Sequence, residues 1–150
     1  MWTNVILFNV ALLGAAVIAC RWGGKPEKLV AITLLAAAIA TLAAYSPYPR
    51  TFVSVEYGVV LVDLLLLVAL GAIALNANRY WPLCITSLHL ASTIVHVGKM
   101  VDITMNGWAY ALLLKFWAYP MVVTLVVATI RHRKRLDLYG IDRPWSTFNV

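Results

Sequence analysis

Five long apolar blocks, separated by short polar segments, constrain this chain more than any other feature. The blocks cover about residues 2–20, 29–44, 55–75, 82–102 and 108–130. A helix rises 1.5 Å per residue, so about 20 apolar residues cross the roughly 30 Å hydrocarbon core of a bilayer. Hydrophobic residues make up 63% of the chain and charged residues only 12%, which excludes an ordinary soluble domain. We therefore predict an all-α integral membrane bundle of five transmembrane helices.

The distribution of basic residues predicts how these five helices are oriented. The basic residues of alternate loops and of the C-terminal segment fall on one side: Arg21, Lys25, Lys28, Arg79, Arg131, Arg133, Lys134, Arg135 and Arg143. The other side holds Arg50 alone, when Lys99 and Lys115 are counted within the membrane. Because Lys and Arg are enriched in cytoplasmic loops, we expect the N-terminus outside and the C-terminus in the cytoplasm.

Residues 131–150 follow the last apolar block and are polar and basic. Gly140 and Pro144 argue against a long helix there, so the segment is predicted to be a basic cytoplasmic tail. Four of its residues are expected to anchor the chain to anionic lipid or to a protein partner: Arg131, Arg133, Lys134 and Arg135. Nucleic-acid binding would need a longer or folded basic surface, so no nucleic-acid partner is expected.

Ionisable residues inside the apolar blocks are the main candidates for function, because such groups are expensive in lipid and tend to face a bundle interior. In the fourth block His89, His96 and Lys99 share one helix face by their spacing. At 1.5 Å per residue, Asp63, His96 and Lys115 lie roughly 9–10 Å below the outer surface. We therefore predict one intramembrane polar cluster: Asp63, His96, Lys99, Lys115 and, at its rim, Asp102.

The cluster has two competing interpretations. In the structural one, Asp63 pairs with Lys115 or Lys99, Asp102 caps the other lysine, and the pairs fix the register of the helices. In the functional one, Asp63 and His96 titrate in a polar cavity that opens to the outer side. The second interpretation makes the chain a small proton- or ion-coupled transport component.

A third interpretation concerns the two histidines of the fourth block. His89 and His96 are seven residues apart on one face, a spacing that suits axial ligands for haem or a chlorophyll-type pigment. A second haem ligand from a facing helix is lacking, because the remaining histidine, His132, lies outside the apolar blocks. No bound cofactor is therefore expected, and the pigment hypothesis is an alternative.

No pattern of catalytic or metal-binding residues occurs in the sequence: a glycine-rich phosphate loop, a His and Cys cluster, and a Ser, His and Asp set are all lacking. We predict no enzyme and no metal site. The small-residue segment Gly14-Ala15-Ala16 would let another helix approach closely. The leading hypothesis is a non-enzymatic accessory or structural subunit of a larger membrane complex, with other subunits, a second copy and the lipid bilayer as partners.

The closing part of the chain resembles a family of small uncharacterised bacterial multi-pass membrane proteins. The resemblance is carried by Trp108-Ala109-Tyr110, Phe116-Trp117-Ala118-Tyr119, the run Arg131-His132-Arg133-Lys134-Arg135, and Tyr139-Gly140. It covers about the last 70 residues. It implies a location in a bacterial inner membrane and assigns a role to no residue.

Overall fold

The protein is all-helical in the part of the chain that its computed structural model describes, residues 2–44, 56–102, 104–142 and 144–146, with side chains described from residue 6 onward. The helices are α1 (Trp2–Trp22), α2 (Lys25–Ala44), α3 (Tyr57–Asn76), α4 (Trp81–Val101) and α5 (Gly107–Tyr139). The predicted fold class is thereby confirmed as far as helices are concerned. Arg50, the end of the tail and the first residues of the predicted third span lie outside the described residues.

Helix breakers in the sequence explain where the helices begin and end. Gly23 and Gly24 separate α1 from α2, and Pro82 occupies the first turn of α4, where its missing N–H costs no helical hydrogen bond. The side chain of Asn106 caps α5 by accepting a hydrogen bond from the Trp108 amide at 2.8 Å. Among the described residues, the connections between helices are 23–24, 77–80 and 102–106, the last without residue 103.

Helix α5 continues well past the predicted end of its apolar block at residue 130 and reaches Tyr139. The basic run contains no residue that breaks a helix, and Arg133 pairs with Asp137 one turn later at 3.2 Å. The helix ends at Gly140, which adopts the left-handed conformation with a φ of 71°. Half of the predicted tail is therefore a continuation of α5, and only the residues after Gly140 leave the helix.

The five helices form a closed ring in chain order, because each packs on the next and α5 packs back on α1. The interior of the ring is divided along its length. One end, which we call the tail end, holds residues 23–24, 77–80 and 140–146, and next to it lies an apolar core centred on Val30, Leu70, Ile85 and Leu125. The other end, the α4–α5 end, holds the loop 102–106 and a polar interior.

Four of the helices, α2 to α5, are long and apolar enough to cross a membrane. The described part of α1, Ile6–Trp22, forms a shorter apolar helix. Large aliphatic side chains are exposed all around the bundle, for example Ile39, Val68 and Ile94. Such a surface suits lipid as the solvent, and by length and composition the helices are compatible with a multi-pass membrane protein.

Candidate functional site

A buried histidine links three helices in the polar interior of the α4–α5 end. His96 of α4 is only 1% exposed. Its Nε2 lies 2.6 Å from the Oδ2 of Asp63 on α3, and its Nδ1 lies 2.6 Å from the hydroxyl of Tyr110 on α5. The imidazole and phenol rings also meet edge to face, with centroids 5.6 Å apart. We call Asp63, His96 and Tyr110 the buried triad.

The contacts of His96 determine where its proton lies. A carboxylate accepts hydrogen bonds only, so Nε2 carries the proton and donates to Asp63. In a neutral imidazole Nδ1 is then the acceptor, and the Tyr110 hydroxyl donates to it. The triad is thus a directed chain of two short hydrogen bonds from Tyr110 through the imidazole to the carboxylate.

The second histidine of α4 holds the same helix pair together one level deeper. His89 is buried, and its Nε2 donates to the backbone carbonyl of Asp63 at 2.9 Å. His89 and His96, two turns apart on α4, therefore both form hydrogen bonds with Asp63 of α3. Both ring nitrogens of His96 and the Nε2 of His89 are engaged, so ligation of a haem or pigment through any of these three atoms would require its hydrogen bond to break. Within the described residues no cluster of three or more His, Cys, Asp or Glu side chains could hold a metal ion.

Lys99 lies in the same polar interior but does not pair with Asp63. It is 3% exposed, and its Nζ donates to the backbone carbonyl of Met105 in the α4–α5 loop at 2.5 Å. Asp102 at the rim instead accepts from the amide and hydroxyl of Thr104 at 2.9 and 2.5 Å. The lysine therefore ties α4 to its loop, and the aspartate closes the end of the helix.

Lys115 was predicted to face Asp63 and His96, but the structure places Tyr110 there. Lys115 is five positions after Tyr110, so the two side chains are roughly 140° apart around the helix and about 7 Å apart along it. The side chain of Lys115 is half-buried, and no hydrogen bond or ion pair joins it to the described residues. The predicted cluster therefore brings Asp63 and His96 together without this lysine.

Sequence reasoning missed the role of Tyr110, although the sequence carried a signal for it. His96 and Tyr110 stand about equally far from the short loop 102–106, so an antiparallel α4–α5 pair must set them side by side. Glu56 lies just before α3 at the same end of the bundle. Its Oε2 is buried without a hydrogen-bond partner among the described residues, and its carboxylate interacts electrostatically with Tyr110.

A second polar cluster lies at the tail end, around Asp142. Its carboxylate forms an ion pair with Arg79 at 2.8 Å, accepts from Arg135 at 3.0 Å, and contacts the Nδ1 of His132. Burial raises the pKa of Asp142, but the hydrogen bonds from Arg135, Arg79 and His132 outweigh burial and hold the pKa well below its ordinary value. The tail is therefore folded back onto the α3–α4 turn, where the Asn78 amide also donates to the Trp145 carbonyl at 2.7 Å.

The α1–α2 turn packs against this second cluster. Glu27 is fully buried; its Oε2 accepts from the Gly24 amide at 3.1 Å, whereas Oε1 has no hydrogen-bond partner among the described residues. A Cβ atom at Gly24 would lie 2.8 Å from Cε1 of His132, so only glycine lets this turn approach the imidazole. His132, expected to lie in an exposed basic tail, is in fact a buried packing residue.

The basic run 131–135 is divided between two faces of α5. Arg135 turns toward Asp142 and donates to its carboxylate. Arg131, Arg133 and Lys134 are exposed. The anchoring role of the four residues stays a prediction.

Comparisons of the chain with protein families, with characterised proteins and with solved structures found no match. The resemblance of the closing segment to small bacterial membrane proteins rests on its own residues and stays a prediction.

Proposed function

We propose that this protein is a small proton- or ion-coupled membrane component that exchanges a proton through the buried triad. One observation carries the proposal: a fully buried imidazole uses one nitrogen on a carboxylate of α3 and the other on a hydroxyl of α5. Ionisable groups at membrane depth are costly and are characteristic of proton relays. An imidazole suits the task because it can accept a proton at one nitrogen while it releases one from the other.

The geometry supports a balanced transfer. When an acid protonates the Tyr110 oxygen, the hydroxyl proton moves to Nδ1 of His96 and the Nε2 proton moves to Oδ2 of Asp63. The phenol and the imidazole end neutral, with the histidine in its other tautomer, and one proton has reached the carboxylate. Glu56 is the proposed source of this proton, because it lies just before α3 and interacts electrostatically with Tyr110.

Proton flux through the reconstituted protein tests the proposal. Proteoliposomes with a pH-sensitive dye inside and an imposed pH gradient should take up protons faster than protein-free liposomes. Asp63→Asn and His96→Gln should each lower the rate at least tenfold, because each removes a proton-accepting group from the chain. Lys115→Gln, a change of charge on a helix of the same bundle outside the triad, is the matched control and should retain the rate.

An infrared titration separates the relay from a purely structural role. If Asp63 takes up a proton, its carboxyl band should appear as the pH falls and should be missing in Asp63→Asn. A protein that conducts no protons and whose spectrum lacks such a band between pH 4 and pH 9 would refute the proposal.

We further propose five membrane crossings in a bacterial inner membrane, with the C-terminus in the cytoplasm. The support is the sequence pattern of basic residues together with α1, whose apolar segment packs in the ring with α2 and α5. A reporter that is active only in the cytoplasm, fused after residue 150, should be active. The same reporter fused before Met1 should be silent, and the opposite pattern would overturn the orientation.

The accessory-subunit hypothesis is the second candidate, and outward-facing small residues favour it. Gly14 on α1 and Gly71 on α3 have open space where a side chain would project, and Ala11 and Ala72 beside them are exposed. Such positions let a helix of another chain approach closely in lipid. Purification in mild detergent should then recover a stoichiometric protein partner, which Gly14→Leu or Gly71→Leu should displace. A monomer without a partner would exclude this function.

A further inference from the structure

A groove runs along the outside of the bundle between the end of α1 and the extension of α5. Its floor, which is largely apolar, includes Ile18, Ile130 and the buried Thr129, and its rim carries Trp22, Arg133 and Lys134. Trp22 is half exposed at the last position of α1, as expected for a tryptophan at the level of lipid headgroups. The groove therefore passes from hydrocarbon-like surface to a cationic rim within two turns of helix.

The long extension of α5 creates this rim. Residues 130, 133, 134 and 137 share one face of α5 by their spacing of three and four, and this face looks toward α1. His132 and Arg135 occupy the opposite side, where they contact Asp142. The basic run thus supplies one set of side chains to the interior and another to the groove.

We infer that the groove binds one anionic phospholipid, with an acyl chain against Ile18 and Ile130 and the headgroup phosphate between Arg133 and Lys134. The charge complementarity is direct, because guanidinium and ammonium groups are the side chains that bind phosphate oxygens. The apolar floor continues below the cationic rim, which matches a lipid and not a free phosphate ion. Basic recesses between helices at the cytoplasmic surface are known to accept anionic headgroups.

Asp137 tunes this site. It lines the same groove and forms an exposed ion pair with Arg133 at 3.2 Å, with both side chains more than half exposed. An exposed pair of this kind is weak, so a phosphate can replace the carboxylate as the partner of Arg133. Asp137 therefore opposes lipid binding and sets its affinity.

Native mass spectrometry of the full chain in nonionic detergent tests the inference, with phosphatidylglycerol as the probe. One lipid should be retained per chain. Phosphatidylcholine with the same acyl chains and soluble glycerol phosphate should not be retained. The double variant Arg133→Gln, Lys134→Gln should lose about tenfold or more in affinity, since each basic residue near a membrane surface contributes measurably to anionic lipid binding.

Arg131→Gln is the matched control, because it removes the same charge from the same turn of α5 but does not line the groove. It should leave the affinity for phosphatidylglycerol within about twofold, whereas Asp137→Asn should raise this affinity several-fold.

If Arg131→Gln loses as much affinity as the double variant, the lipid is attracted to the basic surface in general, and the proposed site is wrong. If soluble glycerol phosphate binds equally well, the groove recognises a phosphate and not a lipid, and the inference is wrong. If the groove is covered by a second protein chain and no lipid is retained, the proposed occupant is wrong. Asp137→Asn changes only exposed groups, so an unchanged affinity in this folded variant would refute the inference independently.

Discussion

Replacing Tyr110 by phenylalanine distinguishes two roles of the buried triad: a proton relay, and a structural clamp whose hydrogen bonds only hold the helices together. The phenylalanine ring keeps the volume and the edge-to-face contact with His96, whereas the hydroxyl and its 2.6 Å hydrogen bond to the imidazole are lost. Hydrogen bonds between helices in a membrane are worth about 0.6 kcal/mol on average and rarely more than about 1.7. We therefore expect Tyr110→Phe to lower the free energy of unfolding by about 1 kcal/mol.

The effect on proton transfer should be much larger than this small loss of stability. Without the hydroxyl, Nδ1 of His96 loses its hydrogen-bond partner among the described residues, and the chain to Asp63 is interrupted at its first step. Proton uptake by proteoliposomes, normalised to folded protein, should fall at least tenfold. Stability is measured in parallel by denaturant unfolding in mixed micelles.

Tyr119→Phe is the matched control for this experiment. Tyr119 also lies on α5 and contacts an aromatic ring, that of Phe8, edge to face with centroids 5.6 Å apart, but it is outside the triad. Its replacement should change neither the uptake rate nor the stability by a measurable amount. A Tyr110→Phe protein that loses 3 kcal/mol or more, roughly twice the upper value for such a bond, but conducts as before would refute the relay and establish a clamp.

Two further predictions concern the tail end. Asp142→Asn should destabilise the folded tail by about 2 kcal/mol, within the range for hydrogen bonds to charged groups. Protection of the Asn78 amide from hydrogen exchange, relative to its intrinsic exchange rate, should fall at least tenfold, while the exposed control Asp137→Asn should leave it unchanged. Because the folded pKa of Asp142 is depressed, this protection should be complete above about pH 4 and be lost as the pH falls toward the folded value, so protection that is independent of pH below about 4 would contradict the prediction. Gly24→Ala should destabilise the bundle by about 1–3 kcal/mol, since the new methyl group meets a buried imidazole, whereas Gly14→Ala, in open space, should be neutral or slightly stabilising in a thermal unfolding assay.

The helices were predictable because lipid as a solvent requires uninterrupted apolar runs and satisfied backbone groups. Four observed helices, α1 to α4, begin and end within a few residues of the predicted blocks, where Gly, Pro and Asn stand in the sequence. Helix α5 extends beyond residue 130, the predicted end of its apolar block, because hydropathy locates the boundary of the membrane and not the end of the helix. Arg and Lys form helices readily, so the chain continues as a helix until Gly140.

The rise of 1.5 Å per residue predicts how deep each residue of the candidate site lies, but not which way its side chain points. Asp63 and His96 were predicted to lie at one depth, and in the structure they form a hydrogen bond. The direction around α5 could not be predicted in this way: Tyr110 faces the imidazole and Lys115 does not. A tyrosine near a helix start is typical of the interfacial belt, so its local sequence did not mark it as buried. The partners of Asp142 are distant in sequence and required the fold.

The division of the interior determines how a proton-coupled activity can work. A proton on Asp63 has hydrogen-bonded neighbours toward the α4–α5 end, but in the described part of the bundle the way to the tail end is closed by packed apolar side chains, among them Leu70, Ile85 and Leu125. The described side chains therefore form no continuous hydrogen-bonded path from Asp63 to the tail end. Pro120 interrupts the backbone hydrogen bonds of α5 between the triad and that core, so α5 is the helix that bends at least cost. For the proposed proton transfer across the bundle, α5 would have to move. The rate of transfer would then be that of a conformational change and not that of an open channel.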